Sequence, residues 1–165
     1  MNRITATHTG RDDFQHCLDA AVRYLGYRPR GEAELRKRLT QRGFTRDVQD
    51  AVIEKLRAQG LVDDTAFAQF WKDNRETFRP RSRRLTRLEL RRKGVAAEIV
   101  DQVVGTIDDE AAAYRAALAR ARRLSRTDAL AFRRKLGGYL QRRGFSTGVI
   151  KGTLERVWKE GIPLD

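Results

Sequence analysis

Apolar residues along the chain recur every three to four positions, and no run of alternating β-branched residues interrupts them. That period puts one apolar stripe on each helix, so the pattern predicts an all-α chain. The pattern also repeats. Gly43, Gly94 and Gly144 stand 51 and 50 residues apart. Four residues before each glycine is a leucine (Leu39, Leu90, Leu140), and just before each is a cation (Arg42, Lys93, Arg143). An apolar residue follows each glycine: Phe44, Val95, Phe145. Further apolar positions recur five, nine, ten and thirteen residues on, as in Val48, Val52, Ile53 and Leu56, with Thr153 the polar exception in the third copy. These offsets trace one helix face.

Each copy therefore reads as a helix ending at the glycine, where a left-handed backbone is needed, followed by a second amphipathic helix. The cation before the glycine suits the negative end of the helix dipole. Thr45 or Asp47, and Ser146 or Thr147, are the expected N-caps of the following helix. A further helix precedes this pair in each copy, over roughly 13–26, 64–77 and 109–124. The elements YRPRG at 27–31 and FRPRS at 78–82 fall in the link after that helix. Gly31 and Ser82 are their expected N-caps, with Glu34 closing a capping box on Gly31. Leu130 stands where the third copy would have its proline. The predicted organisation is a tail over 1–12, three-helix repeats over 13–62, 63–107 and 108–160, and a tail over 161–165, stacked as an elongated, curved array.

Charge changes the picture. Lys and Arg number 35 against 22 acids, a formal net charge of +13. Folding does not need that excess, and it favours polyanionic partners. The excess is densest at 78–94, FRPRSRRLTRLELRRKG, where Glu89 is the sole acid. A helix over 82–93 with Leu90 toward the core turns Ser82, Leu85, Thr86 and Glu89 to the core side. Arg83, Arg84, Arg87 and Arg91 then gather within about 100° of arc, and Leu88 is left exposed beside them. The first copy has Glu32, Ala33, Arg36 and Thr40 at those positions and the third Arg133, Arg134, Gly137 and Gln141. Like charges at this spacing cost helix stability, so an all-arginine ridge reads as a binding surface ahead of the alternative, a merely solvated face. The expected contacts are Arg79, Arg81, Arg83, Arg84, Arg87, Arg91, Arg92 and Lys93, then Arg122, Arg123, Arg133 and Arg134, directed at phosphate or an acidic protein surface. Phe78 and Tyr139 lie near this set; stacking on bases is open to them, but core packing is the expectation for both.

Catalytic chemistry is sparse. His8 and His16 are the two histidines, and His16 and Cys17 point about 100° apart on a helix, a poor dyad. A phosphate loop of the GxxxxGK[ST] kind is absent. Asp63, Asp64, Asp108, Asp109 and Glu110 stand at helix starts, where acids cap free N–H groups better than they make a metal-dependent nuclease. Gly137-Gly138, inside a helical pattern, implies a close helix contact or a local weakness. The single cysteine rules out a disulfide within the chain. No run approaches the roughly 20 apolar residues of a membrane span, and a cytoplasmic protein with no cofactor is expected.

ELRKRLTQRGF at 34–44, GLVDDTAFAQ at 60–69, LELRRKGVAAEIV at 88–100 and QRRGFSTGVIKGTLERV at 141–157 together resemble the RecX family. The resemblance covers roughly 13–160. It implies three tandem three-helix repeats and a non-enzymatic regulator; a monomer is expected. Such a protein would bind the RecA recombinase filament on single- or double-stranded DNA and inhibit its ATPase, strand exchange and coprotease activities. The competing reading is a helical DNA- or RNA-binding protein with no recombinase target.

Overall fold

A computed structural model describes residues 10–125 and 127–160. Among the described residues there are nine helices and no strands. In order they are α1 (Gly10–Leu25), α2 (Glu32–Gln41), α3 (Arg46–Ala58), α4 (Asp64–Phe78), α5 (Arg83–Arg92), α6 (Ala97–Gly105), α7 (Asp109–Ala121), α8 (Ala129–Arg142) and α9 (Thr147–Glu160). The chain divides into two compact units: residues up to Ala68 together with Lys93–Val95, and Gln69–Arg92 together with Ala96 onward.

In the first unit Cys17 and Ala21 of α1 meet Leu35 and Leu39 of α2 and Val52, Ile53 and Leu56 of α3, all inaccessible to solvent. In the second unit α7 presents a stripe of Ala112, Ala113, Ala116, Ala117 and Ala121 to Phe132, Leu136 and Leu140 of α8, with Phe145 and Val157. Alanines let backbones approach, and the aromatic and leucine side chains fill the space between them. Gly137 is not forced by closeness: a Cβ there would meet Leu154 Cδ1 of α9 at 3.5 Å, an ordinary contact. The position nine residues after each anchor glycine is buried in all three copies, Thr153 included.

The repeat glycines are left-handed, with φ of 88°, 83° and 85° at Gly43, Gly94 and Gly144. At Gly43 the N–H bonds Thr40 O (2.9 Å) and Phe44 N–H bonds Leu39 O (3.3 Å). Gly144 and Phe145 bond Gln141 O and Leu140 O in the same way. This is the Schellman closure, and it explains why the leucine stands four residues ahead: its carbonyl takes the closing bond while its side chain enters the core. Gly60 ends α3 by the same device, φ 68°, and the spacing of the repeat glycines did not reveal it.

Two acids at each of two repeat junctions divide the capping work. Asp63 Oδ1 accepts from Thr65 and Ala66 N–H, and Asp108 Oδ1 from Glu110 and Ala111 N–H, each capping its own helix. The next acid caps a neighbour. Asp64 Oδ1 accepts from Glu32 N–H at the start of α2 (2.8 Å), and Asp109 Oδ1 from Arg83 N–H at the start of α5 (2.6 Å). Gly31 leaves room for the first of these, since a Cβ there would lie 3.2 Å from Asp64 Oδ1. Glu34 does not form the capping box expected of it. Its carboxylate is drawn instead to Arg28 and Arg30, both at 2.5 Å, and to the Tyr24 hydroxyl. The helix of the second copy also stops earlier than the spacing implied: α6 ends at Gly105, and Ile107 is buried from the link that follows.

Candidate functional site

Helix α5 is built as the apolar spacing predicted. Ser82 Oγ accepts from Leu85 N–H at 3.1 Å, and Ser82 N–H is held by Arg143 O at 3.0 Å. Ser82, Thr86 and Leu90 are buried, Leu85 and Glu89 partly so, and Leu88 is exposed. The arginines therefore face solvent, but they are not equivalent. Arg83 Nη2 and Nε donate to Ile107 O at 2.6 and 3.2 Å, tying α5 to the end of the α6 segment. Arg87 Nε pairs with Asp101 of α6 at 2.9 Å. Both carry the internal partners that an uncompensated ridge would lack. Arg84, Arg91 and Arg92 are exposed, and among the described residues their side chains meet no acceptor. The unpaired part of α5 is thus smaller than the four-arginine ridge, and Arg92 belongs to it.

The remaining predicted contacts are spread out. Lys93 lies beyond α5, in the first unit, with Nζ 6.0 Å from the Phe67 ring centroid. Arg122 caps the C-terminus of α7, with Arg123 exposed after it. Arg133 and Arg134 are exposed on α8.

Arg81 belongs to a different cluster, centred on Glu89, and Arg79 stands near it. Trp71 Nε1 donates to Glu89 Oε2 at 2.9 Å, and Arg75 Nε reaches the same oxygen at 3.0 Å. Arg81 Nη1 pairs with Glu89 Oε1. The Arg75 guanidinium also lies 4.4 Å from the Trp71 ring centroid, a cation–π contact. Arg143 Nη1 donates to Pro80 O at 3.3 Å, and its guanidinium packs 4.8 Å from Tyr139. Burial, then the charges of Arg75, Arg143 and Arg79, push Arg81 below its ordinary pKa. Arg75 is lowered by burial. Sequence spacing missed Arg75 and Arg143 as members. The available signal was Glu89 itself, a lone acid among eight cations. Phe78 corrects an expectation: it is 74 % exposed rather than in the core. Tyr139 is partly buried and does pack against the α7–α9 core.

The acids bind helix starts, as described, and among the described residues no group of three His, Cys, Asp or Glu could hold a metal. His16 is exposed whereas Cys17 is wholly buried, its thiol pushed up to about 11 by burial. His8 lies outside the described residues. No helix among the described residues is long and apolar enough to cross a membrane.

Three-helix groups joined by glycine-capped turns, with cations in excess, define an all-α helical-repeat protein. Three matches make this specific. Residues 17–56 match RecX, first three-helix domain; 63–104 the second three-helix domain; and 108–154 the third. The chain belongs to the RecX family. It is 36 % identical over 148 residues to Regulatory protein RecX of Amycolatopsis mediterranei (strain U-32), covering 86 % of this chain and 85 % of that protein. It is 40 % identical over 130 residues to Regulatory protein RecX of Mycobacterium avium (strain 104), covering 76 % and 75 %. The fold is similar to the crystal structure of RecX from Lactobacillus salivarius, with a TM-score of 0.77, 21 % identity, and coverage of 90 % of this chain and 99 % of that one.

Proposed function

We propose that this chain is a non-enzymatic regulator in the cytoplasm that binds the RecA filament on DNA and inhibits its ATPase, strand exchange and coprotease activities. Membership of the RecX family supports the recombinase as partner. The observation that carries the contact surface is the set of exposed arginines on α5, Arg84, Arg91 and Arg92, whose charge no acid of the described chain offsets. Helix α5 can hold them together because Asp109 and Ser82 fix its N-terminus, while Thr86 and Leu90 fix its buried face. Guanidinium forks suit phosphate and carboxylate alike, so the same edge meets DNA backbone or an acidic recombinase surface.

The test is RecA ATPase on single-stranded DNA, titrated with this protein and with an Arg84→Ala/Arg91→Ala/Arg92→Ala variant. The expected result is inhibition by the parent chain and a several-fold higher concentration for half-inhibition by the variant, with helicity unchanged. An ATPase rate indifferent to the parent chain overturns the reading. Should binding to bare DNA with a steep salt dependence then account for all the affinity, the chain is a direct nucleic-acid binder instead.

A further inference from the structure

The first two repeats carry the same aromatic-Arg-Pro-Arg element, and the structure treats its charge in opposite ways. In the first, Arg28 and Arg30 both bond Glu34, and Arg30 covers the Tyr24 ring at 3.7 Å. Two cations share one acid, and Glu32 of the same helix start adds another, paired to Arg36 and Arg57. In the second repeat Leu85 stands where Glu34 would be, and the acid is displaced to Glu89. Arg75 stands where Tyr24 would be, so that acid is already shared with a cation from α4. Arg143 adds a further charge through its bond to Pro80 O. Two guanidiniums, Arg75 and Arg81, thus share one carboxylate, and the charges of Arg143 and Arg79 stand near enough to add to burial and the Arg75 charge in lowering the Arg81 pKa. Arg79 is exposed, and among the described residues its side chain has no acceptor. Beside it the Phe78 ring is 74 % exposed, as Tyr27 is at 78 % in the first repeat, but here it stands next to a guanidinium with no internal acceptor.

We propose that Phe78 and Arg79, backed by the charge of Arg81 and Arg143, form a nucleotide seat for single-stranded nucleic acid, in which the Arg79 guanidinium takes a phosphodiester and the Phe78 ring stacks on the adjoining base. An excess of forked donors beside an exposed aromatic is the arrangement that reads a strand without reading its sequence: charge tracks the backbone and every base has a face to stack. Duplex DNA hides its base faces, so the exposed ring selects the single strand. This rests on the reading that the chain meets a DNA-bearing filament, and it names which nucleic acid and which residues.

The experiment needs no recombinase. Binding of the full chain to a fluorescein-labelled twelve-nucleotide oligothymidylate is followed by anisotropy across a salt series, beside an abasic twelve-mer of equal charge. Arg79→Ala is expected to weaken oligothymidylate binding and to lower the slope of log K against log salt by about 0.7, one phosphate's worth for a single strand. Phe78→Ala is expected to weaken oligothymidylate binding about fivefold or more and to leave abasic binding unchanged. Arg28→Ala and Tyr27→Ala, the counterparts in the first repeat, are expected to change neither. The proposal is overturned if Arg28→Ala matches Arg79→Ala, which makes the effect bulk charge, or if Phe78→Ala acts equally on both oligomers. Loss of ATPase inhibition with seat binding intact would count against the recombinase reading alone, and the converse against the seat alone.

Discussion

Gly43, Gly94 and Gly144 share a left-handed backbone, but what surrounds them differs. A Cβ on Gly43 would meet nothing within 4 Å, whereas one on Gly94 would come within 2.4 Å of Ala33 Cβ and one on Gly144 within 2.8 Å of Leu85 Cβ. Gly43→Ala should therefore cost about 1 kcal/mol, the strain of the backbone alone. Gly94→Ala and Gly144→Ala should cost about 1–3 kcal/mol beyond that, because a neighbouring helix must move. Urea melts of the three variants decide it; equal costs would mean that the close approach is relieved without penalty. Glu34 gives a pH prediction. Burial would raise its carboxyl, but the hydrogen bond from Arg30, the Arg28 charge and the Tyr24 hydroxyl together hold it below its ordinary 4.5. A depressed folded pKa means that stability is fully present above the ordinary carboxylate value and is lost as pH falls through the folded one. The Tm gap between the parent chain and Glu34→Gln should accordingly be largest near neutrality and close in acid.

At the scale of elements, the paired acids matter most, because each pair fixes two helix starts. Asp63→Ala or Asp108→Ala removes a cap from its own helix and should cost about 1 kcal/mol. Asp64 differs: burial, the first cause, raises its pKa despite the Glu32 N–H bond. Asp64→Asn keeps an oxygen for that bond without a buried charge, so it should be far milder than Asp64→Ala, and thermal melts of the two will show whether acceptor or charge matters. Helix α5 shows why periodicity went only partway. Its buried face followed from the spacing of Ser82, Thr86 and Leu90, since a helix has one geometry. The partners of Arg83 and Arg87 did not, because Ile107 O and Asp101 arrive from the α6 segment. The same holds for Phe78: an aromatic in a helical pattern reads as core, and only the placement of α4's last turn leaves it in water.

For the whole molecule, the formal charge of +13 sets a field, and its distribution decides what that field does. In the first repeat, Glu32 and Glu34 take up the arginines of the YRPR turn and its neighbours. Around α5 and the FRPR turn the cations outnumber their acids. Anion-binding capacity should follow that difference. Charge-removing variants of α5 and of Arg79 should lower the salt dependence of DNA binding, while removal of Arg28 or Arg36 should instead show in stability, measured by Tm.

The sequence by itself determined the helices, the three-fold repetition, the glycine caps and the buried stripe of each helix. All of these rest on local backbone preference and on residues a few positions apart, which spacing records directly. Tertiary structure decided which charges are spent. An arginine is a contact or a clasp according to what stands within about 3 Å of it. For Arg81 and Arg75 that is Glu89, and for Arg143 it is Pro80 O 63 residues away, whereas Arg84, Arg91, Arg92 and Arg79 are exposed with no such acceptor among the described residues. Those neighbours come from helices distant along the chain, and hydrophobic spacing carries no record of them.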